Sequence, residues 1–313
     1  NTCWDTIVTR HQPMACVNNP RVALPDEVDW WPVRQAKTRR VAIVGAGIAG
    51  LEAAWVAAAR GHSVTVFCSS AQVGGKARLR SHLPGGEEIS SIYDYQMVSA
   101  QRAGVRFEYG MRASMVDIAA VNPDAVVLAS GASMVPPSWL PQDVAAEGLV
   151  PDLRAAMAGL VGVNARQPGV AVVFDMDHSE GTYAAAERLS DIFERVVVIT
   201  PRNSLADDAS LVARQGILRR LSRRRVETVF LSEPRWGGAF ETGVLEVRHL
   251  YTGDISSIAN VALLAYSTPR ARNDVLAAPL QRAGFEVRAV GDCLSPRDML
   301  AATADGHSAG NAL

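Results

Sequence analysis

Short apolar runs alternate with longer mixed or alanine-rich stretches along most of this chain. Val41-Ala-Ile-Val44 ends at a glycine and reads as a strand buried on both faces. Leu51–Arg60 is alanine-rich, reads as a helix and stops at Gly61. Val64–Phe67 is a second buried strand, so the three segments make a parallel β-α-β crossover. A helix over Ile89–Ala103, a strand over Val105–Tyr109 and a buried strand over Asp124–Gly131 extend the unit. A proline-rich crossing (Pro136, Pro137, Pro141) follows. After Gly169 the rhythm repeats: strand Val170–Phe174, helix Thr182–Phe193, strand Val196–Thr200. Arg214–Arg225 reads as a basic helix, and Val226–Leu264 as several strands with turns at Gly237-Gly238 and Thr252-Gly253. Val287–Val290 is a final strand running into Gly291-Asp292, and Asp298–Leu313 is helical.

The pattern predicts an α/β protein with one Rossmann-like domain inserted into another. Residues 36–165 and 275–313 form the larger domain and 166–274 the smaller. Residues 1–35 differ: they hold Cys3, Cys16, Trp4, Trp30, Trp31 and His11 with little periodicity, and read as an irregular lead-in. A chain of 313 residues has room for about two domains.

Composition narrows the class. Hydrophobic residues are 48% and charged residues 20%, which excludes a disordered chain. The net charge of −1 gives no general attraction to nucleic acid or to an anionic membrane. No apolar run approaches the ~18 residues of a membrane-spanning helix. Four cysteines do not make a disulfide scaffold, and the chain reads as cytoplasmic. It starts at Asn1 rather than methionine and ends at Leu313 in a running helix, so both ends are expected to be cut from a longer protein.

The sharpest chemical signal is Gly45-Ala-Gly47-Ile-Ala-Gly50, between a predicted strand and a predicted helix. Gly45 suits a tight turn, Gly47 lets backbone approach a pyrophosphate, and Gly50 lets helix and strand pack closely. The helix N-terminus then offers free N–H groups to phosphate. The ribose-binding carboxylate expected at the end of the second strand is absent: Cys68 stands there, followed by Ser69 and Ser70. Gly74-Gly75-Lys76, Ala129-Ser130-Gly131 and Gly291-Asp292 each end or follow a strand of the same domain. The first and last of these favour a flavin nucleotide over a nicotinamide one, and Ala129-Ser130-Gly131 fits the third strand end of the same fold type. His62, His178, His249 and His307 lack metal-ligand spacing. Arg219–Arg225 read as a solvated helix face.

Several blocks together resemble the C-terminal half of iron–sulfur flavoproteins that carry an old-yellow-enzyme barrel. That family includes trimethylamine dehydrogenase, 2,4-dienoyl-CoA reductase and bacterial N-demethylases. The blocks are Asn1-Thr-Cys3, Pro13–Pro20 with Cys16, the Gly45 fingerprint, Val290–Arg297, and Asp305-Gly-His307. On residues alone Cys3 and Cys16 are two free cysteines. The resemblance implies instead that they are the third and fourth ligands of a [4Fe–4S] cluster, with the first two just before Asn1. It further implies FAD, or ADP, at Gly45, Gly47, Gly50, Gly74, Gly75, Lys76, Ser130, Gly131, Gly291 and Asp292. The catalytic FMN would lie in a barrel outside this chain, leaving no catalytic residue here. An external electron-transfer flavoprotein and a homo-oligomeric assembly complete the implied partners.

The smaller domain divides the branches of that family. The dienoyl-CoA reductase binds NADPH there on a glycine turn, whereas here the turn carries Asp175, Asp177 and Glu180, which repel a pyrophosphate. This favours the N-methylated amine dehydrogenase or demethylase branch, to which Arg248–Gly253 is also similar. Two alternatives stay open: an NAD(P)H-dependent dienoyl-CoA or enoate reductase, and a non-catalytic ADP-binding module.

Overall fold

The computed structural model describes residues 2–25, 27 and 31–313; Asn1 and Trp30 lie outside them. The contacts divide the chain into two compact units. One comprises Thr2–Ser81, Glu88–Ser133 and Ala271–Leu313; the other comprises Met134–Arg270 with His82–Glu87.

The first unit is built on β1 (Arg40–Val44), β2 (Ser63–Cys68), β3 (Arg106–Tyr109), β4 (Ala125–Leu128) and a last strand, Glu286–Ala289. They form one parallel sheet in the order last strand, β4, β1, β2, β3. This is the doubly wound order in which the chain reverses beside β1. Val41–Ile43 and Ala125–Leu128 are at most 2% exposed, as central parallel strands are when covered on both faces.

The fingerprint helix, Ile48–Ala59, has every one of its residues buried. Its alanines and glycine let neighbours approach closely. The C-terminal helix Met299–Asn311 packs on it, and a Cβ added at Gly306 would lie 2.3 Å from the Ala49 carbonyl oxygen. Helix Ser90–Arg102 also packs on it.

The second unit carries a parallel sheet in the order β8, β5, β6, β7, with β5 at Gln167–Asp175, β6 at Phe193–Ile199, β7 at Glu227–Val229 and β8 at Val261–Ser267. Helix Glu180–Ile192 crosses from β5 to β6. Ser232–Arg235, Leu245–His249 and Ile255–Ile258 form a separate antiparallel sheet.

The structure departs from the sequence pattern in three places. Thr2–Thr9 is helical rather than irregular. Short helices at Gly75–Ser81, Met115–Ala120, Gln142–Glu147, Leu153–Leu160 and Ala277–Arg282 carry too little periodicity to stand out. Finally, the chain changes unit at 133/134 and 270/271, not at 165/166 and 274/275. The reason is packing: Met134, Leu140 and Val150 share a core with Val172, Phe174 and Val197.

Two stability predictions follow from this packing. Gly306→Ala is expected to cost about 2 kcal/mol, because backbone rather than a flexible side chain stands in the way. A lowered midpoint of denaturant unfolding would register it. His62 is buried, accepts the Arg39 N–H on Nδ1 at 3.1 Å, and has its pKa lowered by burial and then by Arg60 and Arg39. The folded state therefore favours neutral His62. Its contribution is complete above the unfolded value of about 6.5 and is lost as pH falls towards the lower folded value. His62→Gln should flatten that acid-side loss in pH-dependent unfolding.

Candidate functional site

The site grows from the turn between β1 and the fingerprint helix. Gly45 has φ +110°, and a Cβ there would stand 2.3 Å from the Ala129 carbonyl oxygen. The turn tucks against the end of β4 and is closed to any side chain at this point. A Cβ on Gly50 would lie 2.0 Å from the Gly45 carbonyl oxygen, so the helix starts pressed onto its own turn. Gly47 is different. It caps the helix in an extended conformation, and a Cβ there would meet nothing within 4 Å. The backbone at the helix N-terminus is thus open at Gly47 and closed on both sides of it.

Two further turns converge on that opening. Gly74 N–H donates to the Ala46 carbonyl at 2.8 Å, and Gly74 bridges to Gly47. A Cβ on Gly75 would come within 3.3 Å of the Gly47 Cα. Lys76 reaches across to form an ion pair with Asp292. Gly291 packs against Ala49, and its N–H donates to Asp305 at 3.1 Å. Asp292 also accepts the Arg297 N–H at 3.0 Å, and Arg297 pairs with Asp305. On the β4 side, a Cβ on Gly131 would be 3.9 Å from Lys76 Cε. Ser130 donates to the Asn273 carbonyl and lies 3.3 Å from Cys293 Sγ. Burial pushes the Cys293 thiol pKa up, which keeps it protonated.

All ten residues predicted for the nucleotide therefore sit at the carboxyl ends of one sheet, where ligands bind in open α/β folds. Sequence reasoning missed Asn273, whose N–H and side-chain amide hold the Gly131 and Ser130 carbonyls at 2.9 and 3.3 Å. No periodicity or motif marks it. Asp305 and Arg297 had a signal, since both lie in the blocks that carry the family resemblance.

Cys3 and Cys16 are outside this convergence. Both are free; Cys3 is exposed and Cys16 half-buried. Among the described residues, no group of three or more His, Cys, Asp or Glu gathers as a metal site. Two thiols do not by themselves complete a four-ligand cluster. Cys68 is buried at the end of β2, with Sγ 3.5 Å from the Gln72 carbonyl oxygen.

The matching turn of the second unit is filled by side chains. Asp175, fully buried at the end of β5, accepts the His178 N–H at 2.9 Å and the Tyr183 hydroxyl at 2.7 Å. Tyr183 in turn accepts the Ala206 N–H at 2.7 Å, and His178 Nε2 lies 3.4 Å from Thr200 Oγ1. Burial pushes the Asp175 carboxyl above the usual range and raises the Tyr183 phenol as well. Asp175, expected to repel a pyrophosphate at this turn, is buried and engaged by its own neighbours. Internal packing occupies the turn, and of its three carboxylates Asp175 is buried, Asp177 half-buried and Glu180 exposed. Asp177 sits 3.7 Å from Arg270.

Fold and site together define an α/β protein with a Rossmann-like dinucleotide-binding turn. Residues 43–119 match the family of NAD(P)-binding Rossmann-like domains. A probable N-methylproline demethylase of Rhizobium meliloti is 34% identical over 171 residues, covering 54% of this chain and 24% of that protein. A bilirubin reductase of Mediterraneibacter gnavus is 26% identical over 323 residues, 99% of this chain and 46% of that one. Histamine dehydrogenase from Rhizobium sp. 4-9 has the same fold, with a TM-score of 0.79 at 22% identity over 97% of this chain and 49% of its own. The chain thus spans about a quarter to a half of each of these three proteins. Over those parts the chain is similar to flavoenzyme demethylases, dehydrogenases and reductases. Among the described residues, no helix is long and apolar enough to cross a membrane.

Gly47→Val tests the site without breaking the fold. It is expected to unfold like the parent, because its Cβ has space, yet to weaken ADP binding by about a hundredfold. Calorimetric titration alongside thermal unfolding checks both halves.

Proposed function

We propose that this chain is the nucleotide-binding, electron-relay portion of a flavin-dependent oxidoreductase acting on an N-methylated amine. The observation that carries the reading is the opening at Gly47, ringed by Gly74, Gly75, Lys76, Gly131 and Asp292. Such a ring suits a diphosphate: backbone N–H groups and Lys76 meet the negative charge, and Asp292 stands where a sugar hydroxyl can donate to it. FAD and ADP are the two occupants the family implies; the flavin, where present, supplies electron storage. Cys3 and Cys16 are proposed as two of the thiolate ligands of an iron–sulfur cluster. The FMN barrel and an electron-transfer flavoprotein are proposed partners, and the assembly is proposed to be a cytoplasmic homo-oligomer.

The demethylase relative supports an amine substrate, and the filled turn at Asp175 argues against NAD(P)H entering through the second unit. A second reading, an NAD(P)H-dependent reductase, is favoured by the match of nearly the whole chain to a bilirubin reductase.

The deciding measurement is an anaerobic absorption spectrum of the protein together with its barrel, before and after each reductant. Trimethylamine is expected to bleach the flavin band while NADPH leaves it unchanged. Bleaching by NADPH alone would establish the reductase reading. A protein with neither a flavin band nor an iron–sulfur shoulder would sink the electron-relay proposal.

A further inference from the structure

We propose that Asn273 is a positioning residue of the Gly45 site: it aims the Gly131 N–H as a donor to the nucleotide and ties that donor to the turn that carries Asp292. This rests on reading the Gly45 turn as a diphosphate cradle, and it names what holds the β4 side of that cradle in place.

Asn273 meets the turn after β4 with backbone and side chain together. Its N–H donates to the Gly131 carbonyl at 2.9 Å, and its side-chain amide donates to the Ser130 carbonyl at 3.3 Å. Its Oδ1 accepts the Ser133 hydroxyl at 3.1 Å, and its carbonyl accepts the Ser130 hydroxyl. A trans peptide unit is planar, so its N–H points opposite to its C=O. Every peptide bond among the described residues is trans. The Ser130 carbonyl and the Gly131 N–H belong to one such unit. Holding that carbonyl on Asn273 therefore turns the Gly131 N–H away from Asn273. Among the described residues no acceptor takes this N–H. Gly131 is half-buried, where a backbone donor calls for a partner. A Cβ on Gly131 would stand 3.9 Å from Lys76 Cε, so this residue neighbours the cation assigned to the diphosphate. The acceptor that fits is an oxygen of the nucleotide.

The same residue reaches the turn after the last strand. The Asn273 carbonyl also accepts the Cys293 thiol at 3.4 Å. Cys293 is fully buried, and burial raises its pKa, so the thiol keeps the proton it donates. Cys293 directly follows Asp292, whose carboxylate pairs with Lys76. One asparagine thus fastens the Gly131 donor and the Asp292 acceptor to a common point. Its side chain has a separable share in this. The Asn273 N–H and carbonyl remain in any variant that is not proline, and they hold the Gly131 carbonyl, the Ser130 hydroxyl and Cys293. Only the side-chain amide holds the Ser130 carbonyl, and hence the plane that carries the Gly131 N–H. One neutral hydrogen bond is a small part of a domain's stability, so its loss leaves the fold standing.

The test follows the backbone amides of Gly47 and Gly131 by NMR while the full chain is titrated with ADP and, separately, with FAD. Calorimetry and thermal unfolding accompany it. Both amides are expected to shift in the parent with at least one of the two ligands. In Asn273→Ala, Gly47 should still respond and Gly131 should not, with affinity about tenfold weaker and the unfolding midpoint little changed. Asn273→Asp keeps the shape and the acceptor for Ser133 but sets an oxygen against the Ser130 carbonyl. It should repeat the loss, and it carries the test should the alanine variant misfold. A silent Gly131 beside a responding Gly47 in the parent overturns the inference and leaves the diphosphate cradle standing. So does a Gly131 response that persists in the variants. Loss of both responses together in a folded variant marks a general structural role and overturns it as well. If neither ligand binds the parent, the cradle reading falls with it.

Discussion

The first unit depends on one constraint: the fingerprint helix is buried on every side and must still present its N-terminus to a ligand. Burial on all faces removes the amphipathic stripe that usually tells a helix how to sit. Orientation is instead set at the turn, where Gly45 and Gly50 admit backbone and nothing larger. Small residues continue the theme along the helix, so that the C-terminal helix settles onto it through Gly306 and Gly310. Glu52 is the exception. It lies at 0% exposure and is matched by donors: Trp55 Nε1 at 2.7 Å and Gln96 Nε2 at 3.0 Å, with His307 Nδ1 at 3.2 Å. A buried carboxylate left without them would be strongly destabilising. The three partners come from the same helix, helix Ser90–Arg102 and the C-terminal helix, so one acidic group ties three elements together.

Much of this was legible in the residues. The apolar runs marked β1, β2 and β4, and glycine spacing marked the turn, because both features arise from local backbone needs. What escaped had no local signature. Asn273 secures the Ser130–Gly131 turn from far along the chain, and one polar loop residue carries no pattern. Residues 134–165 read as a proline-rich crossing, yet Leu140, Val150, Leu153 and Met157 are buried at 4% exposure or less. Leu153 and Met157 sit on a helix too short for periodicity to accumulate, and Leu140 and Val150 lie in turns. Asp175 shows the limit of charge reading: a carboxylate beside a turn looks solvated in sequence, whereas the fold takes it in as a hydrogen-bond acceptor.

The two β-α-β turns of this chain therefore use the same topology in opposite ways. In the first, the position at the helix head is a glycine with open space in front of it. In the second, the corresponding space is filled by Asp175, His178 and Tyr183 bonding one another. A phosphate entering there would have to displace donors that the buried carboxyl group already uses, and leaving that group without hydrogen bonds costs about 1–3 kcal/mol. A strand-to-helix turn can serve a ligand or its own side chains, but not both. In this protein the division falls between the units: the first keeps its backbone bare at Gly47, and the second turns the same place into core.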